Sequence, residues 1–592
     1  MPLPRRVIYF LFAVPLLLIS GCSLLPENGE TVEVSPQPVV RSIDSEDIAP
    51  QVQKLFAIPS FRATLLHDDT LLQQYRQREY IPLWVREESF PSRFIALLRF
   101  LMRADEHGLD PRWYHVPALQ ALLDKILTDG RSDSDHSESL ARMELLLSDG
   151  LLSYASHIRY GIADPRNLEA DYHLPVQRPG LREFLEPLNT PDIIAFLRNI
   201  QPNAPRYLAL QKAYEGFRDI KRLYRWPRIP ELTTDKLVVG EISPTIPALT
   251  QRLMLTGELF SSYQAPLRGT VQLVDLALHA YELDSLRLET LGAWSYDSTL
   301  AKAVMRYQER HGLAIDGVLG ARTIGRMNRG IDAYTDQIRV NLERFRWFSY
   351  PDNGRYVIVN IPEFWLYAMD GHKVITTMPV CVGMPSLPTP QITGNFTHCI
   401  LNPFWNVPWS IATKEIYISA KKDSNYLRKG RYKVFQGNQL VDASSINWAD
   451  HSANSMPYSF RQDPGRGNAL GSIKFMFQNE FSIYLHDTPQ QWAFKRALRA
   501  VSHGCVRIQE PMDFARYLLE GTPDWNVAKL QQVIYSGAHS RAVTLKAKSR
   551  VYIDYYTAWV DSAGVLQFRD DVYRKDDKIV RVFKRLLGRV GT

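Results

Sequence analysis

The hydrophobic periodicity of this chain changes once along its length, and this change constrains the fold more than any other feature. Between about residues 56 and 235, apolar side chains recur at steps of three and four, as at Leu140, Met143 and Leu147. From Tyr356 onward, apolar residues instead alternate with polar ones. The first pattern is that of amphipathic helices and the second that of half-buried strands. The sequence therefore predicts an α+β multidomain protein.

The length of 592 residues exceeds what one hydrophobic core supports, so several domains are expected. The patterning predicts a signal peptide at 1–21, a flexible tether at 22–55, a helical scaffold domain at 56–235, a small helical domain at 236–332, a β-rich domain at 335–560 with an inserted lobe at about 410–460, and a C-terminal extension at 561–592. Within the scaffold, the polar stretch from Arg131 to Ser139 is expected to be a loop, and His157 is expected to lie on a helix surface.

The charge balance excludes one class of partner. The formal net charge is +7, and Arg5 and Arg6 of the predicted signal peptide contribute to it. The sequence has no dense basic run with interleaved aromatic residues, so no nucleic-acid partner is expected. A mildly basic surface suits either an anionic polymer or plain solvation.

The first residues predict secretion. Arg5 and Arg6 precede an apolar run from Val7 to Ile19, which is too short for a comfortable membrane span. The run ends in Leu-Ile-Ser-Gly-Cys and resembles a bacterial lipobox, which implies a lipidated Cys22 and a membrane-tethered protein. A plain signal peptide that contains a cysteine is the alternative. Ser23 favours the outer membrane, so the expected location is the periplasm, on the inner face of that membrane.

Three cysteines remain if Cys22 carries lipid. Cys381 and Cys399 lie on successive strand-like runs and either pair or are simply buried. An odd number of cysteines in an oxidising compartment leaves one free thiol.

The residues that carry chemistry are Ser502-His503-Gly504-Cys505-Val506-Arg507, with His486 fifteen intervening residues before Ser502. A cysteine nucleophile needs a nearby base, which imidazole supplies. Alternation along the strand-like run from Phe481 to His486 places Tyr484 and His486 on the face opposite the core. Gly504 allows a tight turn that leaves backbone N–H groups to face an oxyanion.

This constellation resembles the signature of the L,D-transpeptidase catalytic family (YkuD type): His, a gap of about fifteen residues, Ser/Thr-His-Gly-Cys, a hydrophobic residue, and Asn or Arg. Four further runs resemble its large (YcbB-like) subgroup, which joins a helical scaffold, a peptidoglycan-binding unit and a catalytic domain with a capping lobe. These runs are Asn402 to Pro408, Pro464 to Gly471, Tyr75 to Trp84 and Arg159 to Pro165. The chain departs from the family in the run Leu387-Pro388-Thr389-Pro390, where the family often has a basic residue before Thr-Pro.

The small helical domain carries a second resemblance. Tyr307-Gln308, followed by the run from His311 to Gly320 and by Thr323, resembles the core of the peptidoglycan-binding domain type 1. Ile246 to Leu253 resembles the first helix of that domain, with about 40 residues inserted after it. A helical spacer of the same ancestry is the alternative.

The family resemblance implies a reaction. Cys505 attacks the carbonyl of the third residue, usually meso-diaminopimelate, of a peptidoglycan tetrapeptide stem and releases D-Ala, with His486 as base. Transfer to the side-chain amine of another stem gives a 3→3 cross-link. The backbone, rather than Asp487, is expected to orient His486. Carbapenems are expected to acylate Cys505, and protein partners in the wall-synthesis machinery are compatible with this role.

The resemblance also implies site residues. The expected catalytic residues are Cys505, His486, Gly504 and His503, and the expected substrate contacts are Arg507, Tyr484, Ser502 and Trp405. Arg507 is expected to pair with a stem carboxylate. Trp405 is either a pocket wall or a core residue. No metal or organic cofactor is implied, because no His, Cys or carboxylate cluster has ligand spacing.

Several alternatives stay open at this point. The same acyl-enzyme could pass to water, which would make the protein an L,D-carboxypeptidase or a cross-link hydrolase. It could also pass to a cell-wall lipoprotein or a modified amino acid. A non-catalytic peptidoglycan-binding lipoprotein belongs to a different class. A nucleophilic Cys505 of low pKa is expected to react with thiol reagents below about pH 8, whereas an inert structural cysteine is not.

Overall fold

The structure is a computed structural model that describes residues 45–85, 90–128, 133–178, 180–186, 190, 192–259, 295–423, 425–453 and 455–590. The predicted signal peptide, Cys22 and most of the predicted tether lie outside these residues. Within these ranges, no helix has both the length and the apolar character needed to cross a bilayer.

The N-terminal part is helical, as its periodicity predicts. Its helices are α1 (Ser45–Phe56), α2 (Pro59–Arg62), α3 (Asp68–Gln77), α4 (Phe90–Met102), α5 (Val116–Thr128), α6 (Asp133–Tyr160), α7 (Pro165–Leu168), α8 (Arg182–Leu185), α9 (Ile193–Asn199) and α10 (Pro205–Leu223), with 3-10 turns at Arg103–His107 and Pro111–Tyr114 and a short strand β1 (Tyr172–His173). The stripe that includes Leu147 and Leu151 is fully buried, because the other helices pack around α6.

Three sequence expectations for this part are wrong. The tether does not extend to residue 55, because α1 begins at Ser45 and buries Ile48 and Val52 against the scaffold. The stretch expected to be a loop is helical from Asp133, as part of α6. His157 is buried rather than on a surface, and its Nδ1 lies 3.3 Å from the hydroxyl of Tyr114.

The small helical unit comprises α11 (Ile246–Leu255), α12 (Ser298–Arg310) and α13 (Ala321–Met327), with a ladder between β2 (Lys236–Leu237) and β3 (Leu319–Gly320). Gln308 explains the turn motif after α12. Its side-chain oxygen accepts from the N–H of Asp316 at 3.1 Å and of Gly317 at 2.9 Å, and its amide donates to the Val318 carbonyl at 3.1 Å. The motif residues therefore hold the turn.

A long helix, α14 (Ile331–Trp347), follows and leads to the β-rich part. The strands of that part are β4 (Arg355–Asn360), β5 (Trp365–Asp370), β6 (Lys373–Gly383), β7 (Gln391–Leu401), β8 (Trp405–Asn406), β9 (Tyr432–Gln436), β10 (Gln439–Val441), β11 (Tyr458–Gln462), β12 (Ile473–Phe477), β13 (Leu485–His486), β14 (Ala500–Ser502), β15 (Val506–Ile508), β16 (Arg541–Thr544), β17 (Arg550–Asp554), β18 (Ala558–Val560) and β19 (Leu566–Phe568).

The main sheet closes on itself. Its order is β7-β12-β13-β15-β6-β5-β4-β17, and β17 pairs again with β7. β1, β14 and β16 attach to this ring, so the scaffold contributes an edge strand through the pairing of Tyr172 with Gln391. Side chains alternate across a strand, and residues such as Leu366, Leu485 and Val506 form the core inside the ring. The remaining side chains of these strands face outward.

The inserted lobe is confirmed as a separate small layer. Strands β8 to β11 form their own antiparallel sheet in the order β10-β9-β11-β8. It is covered by α15 (Trp409–Ile411), a π-helical turn at Ala412–Ile416, α16 (Tyr417–Lys422) and α17 (Tyr426–Lys429). Ile416, Leu427 and Phe460 belong to a core cluster that is distinct from the core of the main sheet.

The C-terminal residues are not a separate extension, contrary to the expectation for 561–592. After α18 (Pro511–Leu519) and α19 (Val527–Tyr535), strands β18 and β19 form a hairpin that crosses the predicted boundary at residue 560. The last helix, α20 (Asp576–Val590), buries Ile579 and Phe583 in the scaffold core. The chain end therefore packs back onto the scaffold.

Cys381 and Cys399 are both free and buried. They lie on β6 and β7, which are four strand positions apart in either direction around the ring. That separation is far beyond the ~7 Å between Cα atoms that a disulfide allows. Burial raises the thiol pKa of Cys381 to about 11 and of Cys399 to about 12. Of the two alternatives, a disulfide or two buried thiols, the structure shows the buried thiols.

Candidate active site

Cys505 lies in the turn that connects β14 to β15, at the outer face of the ring. Gly504 precedes it with a φ of 112°, a backbone conformation that favours glycine. The carbonyl of Gly504 accepts a hydrogen bond from the Thr389 hydroxyl at 2.7 Å, and this hydroxyl accepts from the Gly383 N–H at 2.8 Å. The turn before the nucleophile is thus held to the segment after β6.

His486 lies in a row of polar side chains that crosses neighbouring strands. Lys474 of β12 is in register with His486 of β13, and His486 is in register with Arg507 of β15. Their neighbours Leu485 and Val506 lie in the core. By alternation, the side chains of the row and of Cys505 share the outer face. The expectation that Tyr484 and His486 face away from the core is confirmed, although the strand there is shorter than expected, since Ser482 has a positive φ of 55°.

The orientation of His486 comes from the backbone. Its Nδ1 lies 2.6 Å from the carbonyl oxygen of Asp487, which leaves Nε2 as the proton acceptor. The carboxylate of Asp487 instead accepts from the Ser472 N–H at 2.8 Å and the Thr488 N–H at 2.6 Å. The expectation that the backbone, rather than the Asp487 carboxylate, orients His486 is confirmed.

The surroundings of Gly471 explain why the run from Pro464 to Gly471, which precedes β12, ends in glycine. Gly471 has a φ of 62°, and a Cβ built there would lie 2.3 Å from the carboxyl carbon of Asp487. A larger residue would displace Asp487, whose carbonyl orients His486. Glycine at this position therefore supports the geometry of the base.

Burial favours the neutral forms of both His486, the expected base, and Cys505, the expected nucleophile. Burial, with the charges of Arg507 and Lys474, lowers the pKa of His486 to about 3. Burial raises the pKa of the Cys505 thiol, against a hydrogen bond from Tyr484 and the two nearby cations. The direction of this shift favours a neutral Cys505 thiol in the free protein over the expected thiol of low pKa. The geometry instead suits a neutral imidazole that takes the thiol proton as the sulfur attacks.

Tyr484 adjoins both of these residues. Its ring centroid lies 5.6 Å from that of His486, and the Nζ of Lys474 lies 5.2 Å from the Tyr484 ring. Burial, the Cys505 charge and a hydrogen bond to its thiol raise the pKa of the Tyr484 hydroxyl. The hydroxyl therefore remains a proton donor toward the sulfur.

The turn at Gly504 leaves a backbone N–H to face an oxyanion, as expected, and it is that of Cys505 rather than that of Gly504. The Gly504 N–H already donates to the Ser502 hydroxyl oxygen at 3.2 Å. Across the residues that the structure covers, the N–H of Cys505 makes no hydrogen bond. This N–H, directly at the nucleophile, is the donor that an oxyanion at Cys505 could use.

Arg507 and His503 face the inserted lobe. Arg507 Nη1 donates to the side-chain oxygen of Gln490 at 2.8 Å, and its buried Nε has no partner among the described residues. The Nε2 of His503 contacts the carboxylate of Glu415, in the π-helical turn of the lobe. The lobe therefore reaches the residues beside the nucleophile, and Arg507 keeps a donor for an anionic ligand.

Two predicted substrate contacts have other partners. Ser502 is buried, and its hydroxyl donates to the Cys505 carbonyl at 2.6 Å. The hydroxyl is thus used within the turn, and a substrate contact by Ser502 stays a prediction. Trp405 is half-buried against the lobe core, with its ring 6.2 Å from that of Tyr432, which favours the core alternative.

Sequence reasoning missed three residues of this site. Lys474 could have been found, because it occupies an outward position between the buried Ile473 and Phe475. Thr389 lies in the run where the chain departs from the family, but its contact with the Cys505 turn was not predicted, and Glu415 gave no local signal, since each reaches that turn from a distant part of the chain. In the described part of the chain, no group of three or more His, Cys, Asp or Glu side chains is placed to hold a metal ion.

Comparison with known families decides the identity of this region. Residues 354–528 match the family described as "L,D-transpeptidase catalytic domain". The chain therefore carries an L,D-transpeptidase catalytic domain. Residues 69–213 match a "Scaffold domain", and residues 277–327 match a "Putative peptidoglycan binding domain". The last match begins after Ile246 to Leu253, so it does not include the run expected to be the first helix of that domain.

Individual proteins resemble parts of this chain. A "Putative L,D-transpeptidase" of Haemophilus influenzae is 33% identical over 248 residues, which are 41% of this chain and 49% of that protein. The alignment thus spans about half of the relative. An L,D-transpeptidase structure from Xylanimonas cellulosilytica is 14% identical and covers 55% of this chain and 100% of its own, with a TM-score of 0.16. An L,D-transpeptidase structure from Mycobacterium smegmatis is 13% identical and covers 34% of this chain and 58% of its own, with a TM-score of 0.16.

Proposed function

We propose that this chain is a periplasmic L,D-transpeptidase that forms 3→3 peptidoglycan cross-links through an acyl-enzyme on Cys505. The observation that carries the proposal is the juxtaposition of Cys505, Tyr484 and the backbone-oriented His486 on one face of the ring. A peptidoglycan substrate accords with the match of residues 277–327 to a peptidoglycan-binding family.

The chemistry follows from the neutral pair. As the Cys505 sulfur forms a bond to the third-residue carbonyl carbon, its proton passes to His486 Nε2, and the Cys505 N–H stabilises the oxyanion. The tetrahedral intermediate then expels the nitrogen of the terminal D-Ala, which takes the proton from His486. The amine of the acceptor stem attacks the thioester, loses a proton to His486 and forms the new amide, and the thiol regains its proton.

The decisive test incubates the purified chain and its Cys505→Ala variant with a tetrapeptide-stem muropeptide and identifies the products by mass spectrometry. A dimer that has lost one D-Ala, absent with the variant, is the expected result. Tripeptide without dimer would instead identify an L,D-carboxypeptidase that uses the same Cys505 and His486. No cysteine-dependent product, with retained binding to the wall polymer, would favour a non-catalytic binding lipoprotein.

Acylation by a carbapenem gives an independent test of the nucleophile. The strained lactam carbonyl replaces the stem carbonyl, and the same attack gives a stable thioester on Cys505. We expect the mass of one opened carbapenem on the folded chain, located to the Cys505 peptide and absent in Cys505→Ala. No adduct on the folded protein would count against an acyl-enzyme at this site.

We also propose that the mature protein is lipidated at Cys22 and faces the periplasm from the outer membrane. The support is the lipobox-like run that ends at Cys22. Membrane fractionation and the intact mass of the mature N terminus test this proposal, with Cys22→Ser as the variant expected to lose the lipid. A mature protein that retains no lipid on Cys22 would contradict it.

A further inference from the structure

Lys474 lies in the active site without a counter-ion. Its side chain is half-buried on the outer face, next to His486 in register and 5.2 Å from the Tyr484 ring. Among the residues that the structure describes, no carboxylate forms an ion pair with it, and the charge that favours its protonated form is that of Cys505 in its thiolate form. Burial correspondingly lowers the pKa of Lys474.

A buried lysine, Lys575, shows how this protein accommodates an ammonium group. Lys575 has carboxylate oxygens of Glu169 and Asp171 at 2.7 and 2.9 Å, and the amide oxygen of Gln391 at 2.7 Å. Removing an ammonium from water costs free energy that such partners offset. Among the described residues, Lys474 has the Tyr484 ring and the Cys505 sulfur beside it but no carboxylate, so an anion from outside the chain would complete its environment.

The position of Lys474 limits which anion this can be. Lys474 and Arg507 flank His486 on either side, and adjacent strands are ~4.8 Å apart, so the Cα atoms of the two residues lie about 10 Å apart across the sheet. The carbonyl group that reacts with Cys505 would therefore lie between Lys474 and Arg507. A ligand with a carboxylate close to its reacting carbonyl would place that carboxylate at Lys474.

We propose that Lys474 binds a carboxylate of the donor stem peptide, on the side of His486 opposite to Arg507. The inference rests on the proposed function for the identity of the peptide. Such a donor offers two carboxylates near the reacting carbonyl: that of the terminal D-Ala and that of the diaminopimelate side chain. Both present the same chemistry to an ammonium group, and the experiment separates them.

The test is a binding cycle that requires no turnover. In the Cys505→Ala background, calorimetry measures the Kd of three tetrapeptides: unmodified, amidated at the diaminopimelate side chain, and amidated at the terminal D-Ala. Loss of a charge-assisted hydrogen bond is expected to weaken binding about 10- to 100-fold. With Lys474 present, we expect this loss for one of the two amidated peptides. In the Lys474→Met variant, the unmodified peptide should lose the same factor in affinity. That variant should bind the amidated peptide no more weakly than it binds the unmodified one.

The peptide whose amidation couples to Lys474→Met identifies the carboxylate. Lys474→Arg, which keeps the charge, is expected to retain part of the affinity. Lys373→Met, an exposed lysine on β6, is the matched control and should leave all three Kd values unchanged. If Lys474→Met does not fold, Lys474→Gln replaces it.

Two outcomes overturn the inference: amidation and Lys474→Met act independently, or the lysine variants bind all peptides as the parent does. D-Ala release by the unmutated chain is measured separately. If amidation and Lys474→Met are coupled but no D-Ala is released, the transpeptidase proposal is wrong and the carboxylate site remains supported. If D-Ala is released but the two changes are not coupled, only the proposed role of Lys474 is wrong.

Discussion

The ammonium of Lys575 lies 2.7 Å from a carboxylate oxygen of Glu169, and both side chains are buried. Glu169 belongs to the scaffold and Lys575 precedes the last helix. The same ammonium reaches Gln391 on β7, the strand that also pairs with the scaffold strand β1. One buried contact therefore joins the scaffold, the chain end and the catalytic sheet.

Replacing Lys575 with Met is expected to destabilise the protein by about 3–5 kcal/mol, because it leaves the buried Glu169 carboxylate without its cation. Urea unfolding followed by tryptophan fluorescence measures the effect. Lys529→Met, at an exposed position on α19, is the control. Equal unfolding midpoints for the two variants would show that the buried contact contributes little.

The orientation of His486 by a carbonyl predicts unequal effects of neighbouring substitutions. His486→Gln removes the base and should lower kcat/KM for D-Ala release by about 10²- to 10⁴-fold. Asp487→Asn keeps the carbonyl that contacts Nδ1 and changes only a group bonded to Ser472 and Thr488. We expect a loss of less than about tenfold. Equal losses would mean that the Asp487 carboxylate participates.

The pH dependence follows from the lowered pKa of His486, about 3. Imidazole is the basic form above its pKa, so His486 stays a base throughout the range from neutral to mildly acidic pH. We expect kcat/KM for D-Ala release to be constant between about pH 7 and 5. A fall with an apparent pKa near 6.5, the usual value for histidine, would contradict a desolvated His486.

The raised pKa of Cys505 gives a separate prediction for the free protein. Iodoacetamide reacts with the thiolate, so its rate at Cys505 should rise with pH and reach half its maximum at a higher pH than for an exposed thiol. Mass spectrometry of the Cys505 peptide measures the rate. Rapid labelling well below about pH 8 would instead show a preformed thiolate.

Thr389→Val tests the support of the nucleophile turn. Valine has nearly the same shape but loses the bonds to the Gly504 carbonyl and the Gly383 N–H, which should cost about 1–3 kcal/mol of stability. Because the turn before Cys505 loosens, kcat should fall more than KM changes. Steady-state kinetics and thermal unfolding measure both effects. Thr544→Val, at an exposed strand position, should alter neither, and matching behaviour of the two variants would contradict the role of Thr389.

The identity of the nucleophile and base could be predicted from the sequence because both lie in short local patterns. Strand alternation put Leu485 inside and Tyr484 and His486 outside, and the structure agrees. The spacing between His486 and Cys505 was informative because β13 and β15 pair directly in the ring. The lobe, too, followed from a local loss of the strand pattern.

The features that were misjudged or not predicted depend on contacts between distant residues. Helix α1 is part of the body because its apolar face meets α6, and its polar surroundings in sequence suggested a tether. The pKa of Cys505 depends on how much water the surrounding elements exclude, which no local motif records. The Ser502 hydroxyl donates to the Cys505 carbonyl, a contact that exists only once the turn between β14 and β15 has formed.

The sequence by itself thus determined the order of helical and β-rich parts and the residues that perform the chemistry, since periodicity and a short motif are local properties. The tertiary structure alone decided the environment of those residues. It placed Lys474 beside His486, Glu415 beside His503 and Lys575 beside Glu169. Burial and charge at a site are sums over neighbours brought together by folding, so they are fixed only when the chain is packed.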